Sequence, residues 1–331
     1  IPPPPQPRYS IPMAEGQAGG TRLEPLYYDL NTYFRRRFGF RVHKISVDAG
    51  LSCPNRDGTI GRGGCIFCNP RGSGTGAYAR GASITLQLER GKAFLARRYK
   101  AAGFMAYFQS YSNTYAPLER LEALYAEALA VPGVLGLCIG TRPDCVDAPV
   151  LDLLADLART HLVWVEYGLQ SACDRTLTAI NRGHNVACFE RAVAATHARR
   201  LPVCAHVILG LPGEGREEML ATADCLARLP VAGVKLHLLY VVRGTPLELL
   251  HQRQAYRCLE QEAYVDLVCD VLERLPPGMV IQRLTGDPHP GELVAPAWSL
   301  RKQETLGLIQ ATLRRRGTRQ GSRWQPAATS G

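Results

Sequence analysis

At 331 residues, with 46% hydrophobic and 21% charged residues, the chain has the size and balance of one large globular domain with appendages. No apolar run approaches the ~18 residues of a bilayer span. An odd count of eleven cysteines in so long a chain excludes a simple extracellular disulfide framework and points to a reducing compartment, read here as the cytoplasm. The net charge of +10 suits a polyanionic partner, or equally an arginine-rich solvated surface.

The opening "IPPPPQPRYSIPMAEGQAGG" has neither the charged start nor the apolar core of a secretory signal. Residues 1–20 are expected to be a disordered leader, and Met13 offers a natural start. Apolar, β-branched runs then recur at 42–50, 103–109, 134–140, 161–170, 201–210 and 233–242. Segments with helical spacing separate most of them, for example "LERLEALYAEALA" (118–130) and "VLDLLADLART" (150–160). Such alternation predicts βαβ units and a parallel sheet. Six strands are too few for a closed eight-stranded barrel, which leaves a doubly wound sheet or a partial barrel. A further candidate strand, "GMVIQRL" (278–284), precedes an irregular stretch and a helix near 299–316.

The stretch "CPNRDGTIGRGGCIFCN" (53–69) follows the first strand, so it sits at the end of the sheet where parallel α/β folds bind ligands. Cys53, Cys65 and Cys68 lie on a loop rich in glycine and poor in apolar residues. Thiolates so spaced can converge on a metal centre. Zinc would want a fourth ligand or a water. An iron–sulfur cube would take three thiolates and leave one iron open. His43 and Asp57 are available as a fourth ligand, though neither spacing is compelling.

This loop resembles the cluster loop of radical S-adenosylmethionine (SAM) enzymes, with a first gap of eleven residues where the common form has three. Together with "YFQSYSNTYAP", "GTRPDC", "YGLQS", "NRGH", "VILGLPGE", "KLHLLYVVRGTPL" and "QRLTGDPH", in that order, it is similar to the YhcC/YtqA-type branch, kin to the elongator catalytic subunit. The resemblance implies a partial (β/α)6 barrel over 21–245, a capping helical and strand extension over 246–316 and a basic disordered tail over 317–331. It implies a [4Fe-4S] cluster on Cys53, Cys65 and Cys68, and SAM cleaved by one electron to a 5′-deoxyadenosyl radical. The electron would come from a donor such as flavodoxin or ferredoxin.

By the same resemblance, Phe67 packs near adenine, and Gln109 and Ser110 meet the SAM amino group. Glu166 and Gln170 contact its ribose or carboxylate, Arg182 pairs with that carboxylate, and Gly210 and Gly213 form the adenine-binding turn. On the substrate side, His206, Lys235 and His237 alternate in a way that aims them into a barrel. Arg142 and Asp144 stand at the third strand's end, and Arg283 and Asp287 in a segment that caps the barrel. The branch implies work on transfer RNA, at the carbon-5 side chain of the wobble uridine, such as conversion of carboxymethylaminomethyl to aminomethyl. A small anionic metabolite or a peptide is the alternative substrate, and a non-catalytic metal- or cluster-holding nucleic-acid-binding module is the alternative class. The C-terminal arginines with Trp324 would then grip phosphates, or belong to the tail.

Overall fold

The computed structural model describes residues 25–69, 72, 81–99 and 101–326, so the expected leader lies outside it. In chain order the elements are α1 (Leu30–Phe38), β1 (Val42–Val47), α2 (Pro54–Asp57), α3 (Ile84–Tyr99), β2 (Gly103–Phe108), α4 (Leu118–Leu129) and β3 (Val134–Thr141). Then come α5 (Ala148–Leu157), β4 (Leu162–Gln170), α6 (Asp174–Ala179), α7 (Val186–Ala198), β5 (Val203–Leu209), α8 (Arg216–Arg228) and β6 (Gly233–Leu238). The remainder is β7 (Val241–Val242), α9 (Pro246–Gln252), α10 (Gln261–Arg274), β8 (Val280–Arg283), β9 (Leu293–Ala295) and α11 (Lys302–Arg316).

All six expected strands pair in parallel in the order of the sequence. The further candidate strand is real as well. It is β8, and it joins β6 to make a sheet of seven. A short antiparallel pair, β7 with β9, stands apart.

The sheet is strongly curled. Laid flat, its edge strands β1 and β8 would lie about 29 Å apart, six spacings of ~4.8 Å. Yet Lys44 Nζ on β1 donates to Gln282 Oε1 on β8 at 2.5 Å. The chain before α1 bridges the same gap, since Ile281 N donates to Tyr28 O at 2.8 Å. A half-barrel with a lumen results, matching the expected partial barrel.

Period-two alternation sorts the side chains. On β4, Val163, Val165, Tyr167 and Leu169 face the helices and join the main core. Leu162 and Trp164 face inward, where they plug the bottom of the lumen with Met105, Cys138 and Phe34 of α1. Tyr33 seals that plug edge-on against Trp164 at 5.5 Å. Above it the inward positions turn polar, and there the site begins.

Gly317–Pro326, expected as disordered tail, is instead folded against the domain. Gln320 is 5% exposed, donates to Pro276 O at 2.6 Å and Met279 O at 2.8 Å, and accepts from Tyr28 N at 2.9 Å. The expected phosphate grip is also partly engaged elsewhere. Arg316 pairs with Asp266, Asp270 and Glu273, and Arg323 with Glu273. These carboxylates, of which Asp270 and Glu273 are buried, were the missing partners that a count of arginines alone does not reveal.

Candidate active site

Cys53 caps the one-turn helix α2, ahead of Pro54 at the favoured first helical position. Gly63 and Gly64, with φ of +80° and +79°, then return the chain toward it as few other residues could. The last two cysteines share a tight turn in which Cys68 N donates to Cys65 O at 3.0 Å. Hydrogen bonds to the segment after α6 hold most of this loop. Asn55, 1% exposed, donates to Asn181 O at 2.6 Å, and Asn181 donates to Gly64 O at 2.8 Å. Ile66 N reaches Ile180 O at 3.1 Å. Phe67 and Ile66 lean on a small apolar cluster with Ile180, Leu211 and Leu247.

Two guanidinium groups address the sulfurs. Arg56 Nη1 donates to Cys68 Sγ at 3.3 Å, and Arg182 Nη1 to Cys65 Sγ at 3.5 Å. Burial, then the nearby Cys65 and Cys53, push the Cys68 thiol up to about 11 against the opposing Arg56. The three thiols are therefore within electrostatic reach of one another. A single zinc ion would draw its sulfurs to about 3.8 Å, given bonds of ~2.3 Å. Among the described residues, the trio whose ligand atoms all lie within 4.8 Å is Glu166, Cys204 and His206, not the loop thiols. Among the described residues, neither candidate fourth ligand stands free for the loop. His43 stacks on Tyr99 at 5.1 Å, and Asp57 accepts from Thr59 and Ser52. The donor set fits a multi-iron cluster with one iron left open.

Around the loop, the strand ends form a polar rim. Gln109 accepts from Ser46 Oγ at 2.9 Å. Ser110 is 1% exposed and, among the described residues, its hydroxyl has no partner, as fits a group awaiting a ligand. Its neighbour Tyr111 lies against Arg56 at 5.7 Å. Gln170 ends β4 at a φ of +76°, a strained conformation of the kind that collects at functional sites. After β5, Gly210 and Gly213 adopt φ of +88° and +80°, with open space beside Gly213.

Below the rim lies the polar layer of the lumen. Glu166 is fully buried. It accepts from Lys44 at 2.5 Å, from His206 Nε2 at 2.9 Å and from Lys235. The Lys235 ammonium lies 3.9 Å from the centre of the Tyr107 ring. The rings of His206 and His237 are 5.6 Å apart. Burial, then Lys235, lowers His206 to about 4, and burial, then Arg283, holds His237 well below the ordinary histidine range. Both imidazoles are neutral at pH 7.

The sequence profile described as the radical SAM superfamily matches residues 57–226, and that of the radical SAM C-terminal domain matches 231–315. The uncharacterized protein YtqA of Bacillus subtilis is 41% identical over 305 residues, 92% of this chain and 95% of that protein. The chain belongs to the radical SAM superfamily. More distantly, the tRNA uridine(34) acetyltransferase of Dehalococcoides mccartyi is 31% identical over 46% of this chain and 33% of its own length. Among solved structures, an N-terminally deleted Elp3 from Methanocaldococcus infernus superposes with a TM-score of 0.65 at 17% identity, over 84% of this chain and 64% of that one. It shares the fold.

As a radical SAM protein the chain uses a [4Fe-4S] cluster and SAM. Several of the residues assigned roles have other partners in this structure. Arg182 is not free to pair with a SAM carboxylate. Its Nε and Nη2 donate to Gly168 O at 3.2 and 2.6 Å and its Nη1 faces Cys65, so it braces the loop. Glu166 is no ribose or carboxylate contact, because Lys44, Lys235 and His206 already engage both its oxygens. Arg142 and Asp144, expected on the substrate side, are engaged with each other in this structure. They form a two-pronged pair, 2.8 Å at each prong, and Arg142 Nη1 donates to Arg182 O at 2.8 Å. Asp287 is exposed and pairs with Lys302 at 2.8 Å. His206, Lys235 and His237 do meet in the lumen, with Arg283 near enough to act on His237. Sequence reasoning missed Asn55, Arg56, Asn181, Lys44, Tyr107 and Gln282. Only Lys44 left a trace, as a charge at an inward position of an apolar strand.

Proposed function

We propose that this radical SAM enzyme acts on tRNA, at the carbon-5 side chain of the wobble uridine, and that Cys53, Cys65 and Cys68 ligate its cluster. The observation that carries the ligand assignment is the pair of guanidinium groups on Cys68 and Cys65, at 3.3 and 3.5 Å. When bound, the cluster and SAM supply one-electron cleavage to a 5′-deoxyadenosyl radical that takes a hydrogen atom from an unactivated carbon.

The residues do the rest. Arg56 and Arg182 offset the negative charge of the thiolates. Ser110 offers its unpartnered hydroxyl, and Gln109 its amide, to the amino acid end of SAM. Gly210 and Gly213 let backbone approach the adenine, and Phe67 covers it from the loop. The lumen orients the substrate carbon and keeps water from the reaction. Support for tRNA comes from the distant likeness to the tRNA uridine(34) acetyltransferase and from the net charge of +10. Eleven thiols, all unpaired, suit a reducing compartment such as the cytoplasm.

The test is incubation of anaerobically reconstituted protein, SAM and reductant with tRNA carrying 5-carboxymethylaminomethyluridine, followed by nucleoside analysis. Loss of that nucleoside with matching 5′-deoxyadenosine supports the reading. SAM cleavage that leaves every tRNA nucleoside unchanged removes tRNA as substrate.

A further inference from the structure

Charge is out of balance inside the lumen. Lys44 and Lys235 share the single carboxylate of Glu166. Arg283 stands opposite Lys235 in the β6–β8 register, and among the described residues no acidic group pairs with it. Asp287, which with Arg283 acts on Tyr240, is already engaged by Lys302. Neutral His206 and His237 add no compensating charge. A donor is left over too. Gln282 accepts from Lys44 through Oε1, while among the described residues its buried Nε2 has no acceptor.

Buried donors without acceptors, and buried charges of one sign, are unfavourable unless something answers them. A divalent cation does not answer them. Glu166, Cys204 and His206 bring ligand atoms within 4.8 Å of one another, but two ammonium groups already hold that carboxylate. What is lacking is an acceptor with negative charge.

We propose that a carboxylate of the substrate docks in this lumen, against Arg283, Lys235 and Gln282 Nε2. A guanidinium fork matches the two oxygens of a carboxylate. The layer is reachable, since the side chains of Lys44 and His206 keep 14% and 16% exposure. Resting on the tRNA reading above, the docked group is the acidic end of a wobble-uridine side chain. The site then reads the modification state of the base, not only the base.

The experiment compares binding of two free nucleosides, 5-carboxymethylaminomethyluridine and 5-aminomethyluridine, to cluster- and SAM-loaded protein by titration calorimetry. N-methylglycine, which reproduces the acidic end alone, is tested by its effect on the unfolding temperature. Arg283→Gln is the main variant, because it breaks no ion pair; its iron content and circular dichroism control for folding. Wild type is expected to favour the acidic nucleoside about ten- to hundredfold, the range of a hydrogen bond between charged groups. Arg283→Gln should lose most of that preference and Arg283→Lys should restore part of it. If neither nucleoside binds but N-methylglycine stabilises wild type and not Arg283→Gln, the carboxylate site stands and the tRNA reading falls. Equal binding of acidic and neutral probes, or a preference that survives Arg283→Gln, overturns the proposal.

Discussion

Replacing Glu166 by glutamine keeps the shape of the side chain and removes the one negative charge in the polar layer. Glu166 is fully buried, and two ammonium groups and one imidazole donate to it. Removing one member of a buried charge cluster costs about 3–5 kcal/mol, because the remaining charges stay buried without a partner. At roughly 2–4 °C per kcal/mol for larger domains, the unfolding temperature should fall by about 6–20 °C. The pH dependence has a definite sign. Burial alone would raise the Glu166 carboxyl, but Lys235 and Lys44 overcome it and hold the group well below its ordinary value of 4.5. Its contribution is therefore complete above about pH 4.5 and is lost as the pH falls through the lower native value. Thermal melts at pH 7, with the double variant Glu166→Gln/Lys235→Met alongside, measure the effect. The double variant should regain part of the loss, since one stranded ammonium is gone. A drop under 2 °C, or a double variant no better than the single one, would refute the reasoning.

Arg182→Met removes the donor on Cys65 Sγ, 3.5 Å away, which favours the more negative, reduced cluster. Its midpoint potential, measured by redox titration with paramagnetic resonance, should fall by at most about 65–130 mV, the equivalent of one charge-assisted hydrogen bond of ~1.5–3 kcal/mol. An unchanged potential would mean that the contact is only structural. His206, lowered to about 4 from an ordinary 6.5, contributes stability that is complete above pH 6.5 and is lost as the pH falls toward 4. The unfolding temperature of His206→Gln should therefore vary less than that of wild type between those pH values, and parallel curves would contradict the assignment. Gly168→Ala would set a Cβ 2.6 Å from both Arg182 Nη2 and Gln170 Nε2. It should lower iron retention during anaerobic desalting much as Arg182→Met does; normal retention would show that Arg182 tolerates the shift.

Much of the fold was legible because strand and helix periods alternate without ambiguity from 42 to 242. The seventh strand was harder. β8 spans only Val280–Arg283 and is flanked by irregular chain, so its place in the sheet depends on the exposed edge of β6. The proximity of Cys65 and Cys68 on one turn was legible by spacing. Arg142 after β3, Glu166 within β4 and Arg182 after α6 were legible as polar residues near the sheet's ligand end, but not by role. A role depends on partners distant in sequence: Gly168 and Cys65 for Arg182, Lys44 and Lys235 for Glu166. The sequence shows donors and acceptors without their pairing. The folded Gly317–Pro326 segment was misread for the same reason, since polar Gln320 finds buried carbonyls that no local pattern announces.

The central claim is that the thiol loop carries radical SAM chemistry. Its most direct test is 5′-deoxyadenosine release by anaerobically reconstituted protein given SAM and dithionite, with wild type and Cys68→Ala in parallel. Release by wild type and none by the variant is the expected result. Iron-loaded, reduced wild type that releases no 5′-deoxyadenosine would contradict the account and favour a cluster-holding binding module instead.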